Sequence, residues 1–354
     1  MKLNNIEVQN IYMLGIGGVG MGALAQYFLY YGCQVYGYDR VRSEICEILE
    51  NKGAKIHYQP NITLIPDDID IVIYTPAIPI DFEELQIIKN KNLPIYKRSD
   101  ILAMITPQLE TYAVAGSHGK STITAMLSHI WYTAHRDFIA MVGAIVKDYE
   151  NNFFINGEPK EFIVEADEYD KTFLKFTVDT GIITSIEPDH LDIYKNIDAL
   201  KDAFREFAHK IKNEIWIDEN VNLQIDKNIN TYGLSNSSDI YAYNIRLDDG
   251  ATVFDIYSNY HQVKIENLHL HAAGMHNIRN ATAAIAIALS KNINIDQIRK
   301  AINTYPGLKR RLDLIYNGKS KKYYDDYAHH PTEIDTLFDT LKTLYPDKTF
   351  CAIF

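Results

Sequence analysis

Short runs of apolar residues alternate with segments of helical spacing through the first hundred residues. Buried strands are predicted at 10–14, 34–38, 69–74 and 94–97, and helices are predicted to end near Tyr31 and to cover 43–52 and 82–90. Strands that alternate with helices are typical of a parallel, doubly wound α/β sheet, in which ligands bind beyond the carboxyl ends of the strands. The sequence therefore predicts a Rossmann-like first domain over residues 1–105.

The same alternation begins again near residue 110 and predicts a central α/β domain over 106–305. An apolar run at 112–115 meets a glycine-rich turn, and a helix follows at 123–132. The other predicted elements are strands at 162–164 and 181–186, a helix at 197–211, a strand-rich stretch at 214–269, and helices at 281–289 and 295–304. This domain therefore contains a second sheet with its own set of strand ends.

A third unit is predicted to begin at residue 306 and to run to 354. A strand ends near Tyr327, a helix follows at 333–344, and the apolar run at 349–354 predicts a further buried strand. Because the sequence stops at that strand, we expect the start of a domain that is cut short.

Composition narrows the function classes. The chain has 354 residues, 47% of them hydrophobic, and a net charge of −11, which argues against nucleic acid and anionic membranes as partners. No apolar run reaches the roughly 18 residues that a membrane helix needs. Three scattered cysteines favour a reducing compartment, the cytoplasm. The sequence does not indicate an oligomeric state.

A glycine-rich loop is the strongest chemical signal in the chain. It joins the predicted strand 112–115 to a helix, and its residues are Gly116, Ser117, His118, Gly119, Lys120, Ser121 and Thr122. Free backbone N–H groups and the helix dipole make such a turn an anion site, where a lysine can neutralise phosphate oxygens and a hydroxyl can contact magnesium. These residues therefore predict a shortened form of the nucleotide-binding P-loop, although turns of this spacing also occur in proteins that bind no nucleotide.

A second glycine pattern lies in the first domain. Its glycines are Gly15, Gly17, Gly18 and Gly20, and Asp39 follows about 20 residues later, as in a dinucleotide fingerprint. Thr75 and Arg98 also fall at predicted strand ends. These positions predict a nucleotide or phosphate near a helix N-terminus, but Asp39 can equally be a polar strand end, and Thr75 and Arg98 can be solvated loop residues.

Two acidic clusters follow strands of the central domain. Glu165 opens the first, and His190 lies in the second, at 187–192. Oxygen ligands and an imidazole at neighbouring strand ends suit magnesium beside phosphates, whereas a single acidic cluster is often only a solvated loop. Further polar sets occur later in the chain, at His276, Asn277 and Asn280, at Arg310 and Arg311, and at Asp325, Asp326, His329 and His330.

These motifs, taken in order, resemble those of the Mur ligase family. The matching segments are 15–21, 116–121, 165–168, 189–192, 276–280, 310–311 and 325–333, and they cover essentially the whole chain. The resemblance implies a Rossmann-like domain for the UDP part of a sugar substrate and a central ATPase-like domain. It also implies a third Rossmann-like domain that closes over ATP and binds the amino acid.

The resemblance implies a reaction and a role for each residue. UDP-N-acetylmuramate would react with ATP to form an acyl phosphate, which L-alanine would convert to an amide. The residues that would contact ATP are the loop 116–122, His276, Asn277, Asn280, Arg311 and Asp326, and those that would bind magnesium are Ser121, Glu165 and His190. The residues that would contact the UDP-sugar are Gly15, Gly17, Gly18, Gly20, Asp39, Thr75, Arg98 and His118. His329 would lie near the amino acid. Lys120, Glu165, His190 and Arg311 would carry the catalysis.

Three other functions stay open at this point. A muropeptide ligase would join a ready-made tripeptide to the same sugar nucleotide. A nicotinamide dehydrogenase would explain the first glycine pattern but not the 116–122 loop or the acidic clusters. A shortened homologue could bind nucleotides without catalysis. Because the third domain closes the site in this family, we expect the 354-residue chain alone to be a poor ligase.

Overall fold

The fold is taken from a computed structural model of the chain. It describes residues 1–4, 6–188, 193–248 and 251–353. The predicted metal ligand His190, with the rest of the 189–192 segment, lies outside the described residues.

The first domain is a parallel sheet with helices on its faces, as the alternating pattern predicted. Its strands are β1 (Lys2–Leu3), β2 (Ile6–Glu7), β3 (Asn10–Leu14), β4 (Gln34–Tyr38), β5 (Lys55–His57), β6 (Ile71–Tyr74) and β7 (Ile95–Lys97). Its helices are α1 (Val19–Tyr30), α2 (Glu44–Asn51), α3 (Glu83–Asn90) and α4 (Arg98–Ile105), with 3-10 turns at Ile62–Leu64 and Thr106–Gln108. The five main strands pair in parallel in the order β5-β4-β3-β6-β7, so the strand order reverses beside β3.

The central domain is built on one large mixed sheet. Its strands are β8 (Glu110–Ala115), β9 (Phe138–Val146), β10 (Asn151–Asn156), β11 (Glu161–Glu165), β12 (Thr180–Ile183), β13 (Glu214–Asp218), β14 (Asn230–Gly233), β15 (Ile240–Asp248), β16 (Ala251–Ser258) and β17 (Val263–Leu270). Its helices are α5 (Lys120–Thr133), α6 (Ile197–Lys210), α7 (Met275–Ser290) and α8 (Ile295–Asn303), with a 3-10 helix at Tyr169–Lys175. Strand β8 lies between β11 and β12 in the parallel part of the sheet, so the three carboxyl ends meet at one edge.

Two helices begin earlier than the apolar pattern predicted. Helix α5 begins at Lys120 rather than at Ile123, directly after Gly119 with its positive φ of 82°. Helix α7 begins at Met275 rather than at Ala281. Apolar spacing marks only the buried part of a helix, so it misses polar first turns that face a cleft. Those two first turns carry many of the predicted site residues.

The third segment is a short hairpin followed by a helix. It contains β18 (Asp313–Asn317), β19 (Lys322–Asp325) and α9 (Pro331–Leu344), and the two strands pair antiparallel. The strand predicted at 349–354 is wrong for residues 349–353, which form no strand. A strand requires a hydrogen-bonded neighbour, and no described strand pairs with this run.

The first and central domains are packed together through α1 and the β9–β10 hairpin. The side-chain amide of Gln26 donates to Asn151 Oδ1 at 2.9 Å, and Asn152 Nδ2 donates to the Val19 carbonyl at 2.7 Å. Leu308 forms an antiparallel bridge with Val146, so the entry to the third segment is attached to β9. Within the described residues, no helix is both long enough and apolar enough to cross a membrane.

Candidate functional site

The 116–119 loop leaves the carboxyl end of β8 at the centre of the sheet edge. Gly116 has a φ of 133° and Gly119 has a φ of 82°. Residues that carry a Cβ rarely adopt these backbone conformations. At Gly116 a Cβ would also overlap the hydroxyl of Thr184, which follows β12. The two glycines therefore allow a tight turn against β12 and direct the start of α5 towards a cleft.

Lys120 is the cation of this loop. Its ammonium group donates to the Gly116 carbonyl at 2.6 Å and to the two carboxylate oxygens of Glu168 at 3.1 and 2.8 Å. Burial lowers the pKa of Lys120, but the neighbouring carboxylates, Glu168 foremost, raise the pKa above its ordinary value. Lys120 therefore stays positively charged, as binding to phosphate requires.

Glu165 and Ser121 form the part of the predicted magnesium site that the structure describes. Glu165 ends β11, and its Oε2 accepts from Ser121 Oγ at 3.2 Å, while its Oε1 accepts from the Gly143 N–H. Burial raises the pKa of Glu165, and the bond from Gly143 and the charge of Lys120 offset this only in part. Two oxygen ligands thus converge beside the phosphate loop, which is the donor set that magnesium prefers.

His118 connects the loop to two carboxylates from distant parts of the chain. Its Nδ1 lies 3.2 Å from Glu333 Oε1, and its Nε2 lies 3.3 Å from Glu187 Oε2. The hydrogen bond to Glu333 is the main cause that raises the pKa of His118. Burial alone raises the pKa of Glu333, but the bond from His118 and the charge of Arg311 help to lower it to about 2.

A cleft of about 820 Å³ lies over the loop and brings most of the predicted ATP residues together. Its lining includes Ser117, His118, Gly119, Lys120, Ser121, Thr122, His276, Asn277, Asn280, Arg311, Asp326 and His329. Arg311 NH1 lies 3.6 Å from Glu333 Oε1, on the wall formed by the third segment. Two cations, Lys120 and Arg311, therefore border one cleft that is large enough for a nucleotide.

The first turn of α7 forms the wall that was predicted to contact adenine. Asn280 abuts the loop so closely that a Cβ on Gly119 would lie 2.7 Å from its Oδ1. The Asn277 amide donates to the Ala273 carbonyl at 2.7 Å. His276 Nδ1 is buried and has no hydrogen-bond partner among the described residues. This buried nitrogen therefore has an unused hydrogen-bonding position within the described part of the chain.

The side chains of Asp326 and His329 form hydrogen bonds with the backbone of their own segment. Asp326 accepts from the Leu312 N–H at 2.6 Å and from the Ala328 N–H at 2.7 Å. His329 is largely exposed, and its Nδ1 faces the Tyr327 carbonyl at 2.9 Å. Asp326 thus shapes the turn between β19 and α9, and the predicted roles of both residues towards ligands stay predictions.

The residues predicted to contact the UDP-sugar gather in the first domain, apart from His118. Thr75 lies beside Gly15, where a Cβ would be 2.5 Å from its methyl group, and Arg98 lies beside Gly20, where a Cβ would be 2.8 Å from NH1.

The third close pair is Gly17 and Asp39. The Gly17 N–H donates to Asp39 Oδ2 at 2.8 Å. The absence of a Cβ at these glycines therefore leaves room for residues from the ends of β4, β6 and β7. The residues predicted to contact the UDP-sugar in the first domain thus lie around one loop.

Sequence reasoning missed four residues of the cleft region as site members. Glu168 pairs with Lys120, Glu187 and Glu333 pair with His118, and the ring centroid of His330 lies 5.6 Å from that of His118. All four lie inside or beside motifs that were singled out, but no spacing rule states which loop meets which across the fold. Adjacency to a motif was the only available signal.

Comparison with known proteins agrees with the fold. Residues 10–108 match the family model described as "Mur ligase family, catalytic domain", and residues 114–288 match the model described as "Mur ligase middle domain". The chain therefore belongs to the Mur ligase family.

Similar proteins include UDP-N-acetylmuramate–L-alanine ligases. The UDP-N-acetylmuramate–L-alanine ligase of Flavobacterium johnsoniae is 40% identical over 362 residues, covering 100% of this chain and 78% of the relative. That of Christiangramia forsetii is 37% identical and covers 98% of this chain and 77% of the relative. The crystal structure of the Thermotoga maritima UDP-N-acetylmuramate-alanine ligase superposes with a TM-score of 0.85 at 25% identity, covering 96% of this chain and 79% of that one.

Proposed function

We propose that this protein is an ATP-dependent ligase that joins L-alanine to the lactyl carboxylate of UDP-N-acetylmuramate, a step of peptidoglycan precursor synthesis. The observation that carries the proposal is the cleft lined by His118, Lys120, Ser121 and Arg311, with Glu165 hydrogen-bonded to Ser121. The names of relatives at 37–40% identity support the choice of substrates.

The first step is a phosphoryl transfer. An oxygen of the lactyl carboxylate attacks the γ-phosphorus of ATP, the bond to the β–γ bridging oxygen breaks, and ADP leaves with that oxygen. Both reactants are anionic, so the reaction depends on positive charge at the γ-phosphate. Lys120 supplies that charge from the loop, and Arg311 supplies it from the opposite wall.

The second step forms the amide. The free amine of L-alanine attacks the carbonyl carbon of the acyl phosphate, the carbon–oxygen bond to phosphate breaks, and inorganic phosphate leaves. The nitrogen gives up a proton, which passes to the departing phosphate or to solvent. We assign His329, which lies on the wall opposite the loop, to the neighbourhood of the amine. No covalent bond to the protein is required.

Magnesium fits the donor set beside the loop. Ser121 and Glu165 would hold it through the two oxygens that lie 3.2 Å apart, and His190 is proposed from the sequence as a further ligand. When bound, magnesium neutralises negative charge on the phosphate oxygens. The half-buried Glu165 carboxylate accepts the Gly143 N–H, which would hold it in position for the ion.

The experiment is a phosphate-release assay with three substrates. Release from ATP should require both UDP-N-acetylmuramate and L-alanine, and mass spectrometry should detect the sugar nucleotide with alanine attached. A tripeptide in place of alanine tests the muropeptide ligase, and its preferential use would replace our assignment. ATP binding without release under any of these conditions would indicate a non-catalytic homologue.

We place the reaction in the cytoplasm. The proposed reaction consumes ATP, and the cysteines among the described residues are all unpaired, as expected in a reducing compartment.

A further inference from the structure

A group of two imidazoles and a carboxylate lies beside the phosphate loop, and of its three residues only His118 also has a role in the proposed ligase site. Its members are His118 from the loop, Glu187 after β12, and His330 at the start of α9. One ligand atom from each residue can be chosen so that all three lie within 4.8 Å of one another. Two nitrogens and one oxygen differ in kind from the oxygen ligands of the Ser121–Glu165 pair. We call this group the His118–Glu187–His330 cluster.

We propose that the His118–Glu187–His330 cluster is a binding site for a nitrogen-preferring divalent cation of the zinc class, separate from the magnesium site. Zinc is bound in proteins by imidazole and carboxylate ligands, often three of them with a fourth position left open. Magnesium requires oxygen ligands and octahedral geometry, so the donor set selects against it.

The distances suit a tetrahedral ion. Zinc–ligand bonds of about 2.0–2.1 Å place neighbouring ligand atoms roughly 3.3 Å apart. His118 Nε2 and Glu187 Oε2 already lie 3.3 Å from each other. His330 supplies the third ligand atom, which lies within 4.8 Å of the other two.

Glu333 prepares His118 for a metal. A histidine that binds zinc through one ring nitrogen usually donates the other N–H to a carboxylate, which fixes the tautomer and the ring orientation. His118 Nδ1 lies 3.2 Å from Glu333 Oε1, so the Nε2 that faces Glu187 is the free ligand atom. The arrangement of a carboxylate (Glu333), a histidine (His118) and a ring nitrogen left to bind the metal (Nε2) is therefore present.

A metal at this cluster would join two parts of the chain. His118 and Glu187 belong to the central domain, whereas His330 and Glu333 belong to the third segment. The ion would therefore fix the phosphate loop against the start of α9. This inference does not depend on the ligase reaction, because metal binding is measured without substrates.

The test is equilibrium dialysis of the full chain against Zn²⁺ in the presence of excess Mg²⁺, followed by elemental analysis. We expect one zinc per chain, and zinc should raise the melting temperature. His330→Gln and Glu187→Gln should each weaken zinc binding by at least about 100-fold, since even the loss of a ligand's hydrogen-bond partner costs about 10- to 100-fold. Glu333→Gln should fall within that lower range.

Two controls separate this cluster from its neighbours. Glu165→Gln alters the predicted magnesium site and should leave zinc binding unchanged. His329→Gln removes the adjacent histidine, whose side chain is 69% exposed, and should also leave zinc binding unchanged. If the melting temperature of metal-free His330→Gln differs from that of the metal-free parent chain, the zinc affinity of Glu187→Gln decides the test. The Glu187 side chain is 34% exposed and lies outside the core.

Three results would overturn the proposal. One is the absence of zinc binding by the parent chain, in which case His118 pairs only with its two carboxylates. Another is zinc binding that survives both Glu187→Gln and His330→Gln. The third is zinc binding that is lost in Glu165→Gln alone, which would place the ion at the magnesium site.

Discussion

His118 Nδ1 lies 3.2 Å from Glu333 Oε1, although 215 positions separate the two residues in the sequence. His118 belongs to the phosphate loop, and Glu333 lies in the first turn of α9. The contact therefore joins the part of the protein that is proposed to hold phosphate to the part that is proposed to present the amino acid. Its strength depends on the protonation of both groups.

This pair should make stability depend on pH in a defined window. The pKa of His118 is raised above 6.5, so its contribution is complete below pH 6.5 and is lost as the pH rises through the raised value. The pKa of Glu333 is lowered from 4.5 to about 2, so its contribution is present above pH 4.5 and is lost as the pH falls towards 2. The pair should therefore stabilise the fold most between these limits.

Denaturant unfolding at a series of pH values checks this prediction. Glu333→Gln should reduce the free energy of unfolding most at mildly acidic pH, and its effect should shrink at alkaline pH, where His118 is neutral. Glu206→Gln is the matched control, because Glu206 forms an exposed pair with Lys210 on α6. A Glu333→Gln effect that is the same from acidic to alkaline pH would refute the assignment.

Lys120 should matter for both catalysis and stability. Lys120→Ala removes a charge-stabilising group and should lower turnover by about 10²–10³. The sequence alone predicts little effect on stability, but Glu168 is only 1% exposed and loses its partner in this variant. Breaking a buried pair from one side costs about 3–5 kcal/mol, although protonation of Glu168 can reduce the loss.

A double variant separates these two effects. Lys120→Met combined with Glu168→Gln removes both buried charges and should recover most of the stability without recovering turnover. Lys264→Ala, which affects an exposed pair with Glu266 on β17, serves as the control for both measurements. Phosphate release that persists in Lys120→Ala would show that the loop does not hold the γ-phosphate.

Magnesium affinity should depend on Ser121 and Glu165. Ser121→Ala and Glu165→Gln should each weaken magnesium binding in a titration, and Glu165→Gln should do so more because it removes a charge. Affinity should also fall as the pH drops below about 6.5, since His190 must be neutral to bind metal. Burial raises the pKa of Glu165, which strengthens this trend because protons compete for the same oxygen.

A surface variant completes the magnesium experiment. Glu266→Gln changes the net charge as Glu165→Gln does, but it lies on β17 away from the loop. It should leave the titration unchanged. Equal magnesium affinity in Glu165→Gln and in the parent chain would remove Glu165 from the site.

The sequence predicted elements best where the local pattern is strong. The bounds of β3 and β4 are confirmed, because each is an apolar run closed by a glycine turn or an acid. The β9–β10 hairpin was not predicted. Its residues lie at one edge of the central sheet, and their pairing with β11 is a tertiary contact that no local spacing reports.

The site was predicted in its motifs but not in its connections. Lys120 was recognised from the loop, whereas its pairing with Glu168 depends on how β11 lies beside β8. The contact of His118 with Glu333 likewise depends on where the third segment folds. Such pairs are determined by three-dimensional packing. A sequence motif can therefore indicate the chemistry of a residue without indicating which residue it pairs with.

The first domain should bind UDP-N-acetylmuramate and not NAD. In dinucleotide-binding domains an acid at the position of Asp39 contacts a ribose hydroxyl. Here Asp39 Oδ2 accepts from the Gly17 N–H at 2.8 Å and Oδ1 accepts from the Val41 N–H at 3.2 Å, so the Asp39 carboxylate holds the backbone of the glycine loop. Arg98 next to Gly20 instead offers a positive charge to a pyrophosphate.

Calorimetry on the full chain tests this preference and the role of Arg98. UDP-N-acetylmuramate should bind, NAD should produce no heat of binding, and Arg98→Ala should weaken the sugar nucleotide about 10- to 100-fold, as expected for a lost hydrogen bond between charged groups. Arg299→Ala, on α8 and paired with Asp296, should bind like the parent chain. Tight NAD binding with no response to the sugar nucleotide would instead support a dehydrogenase.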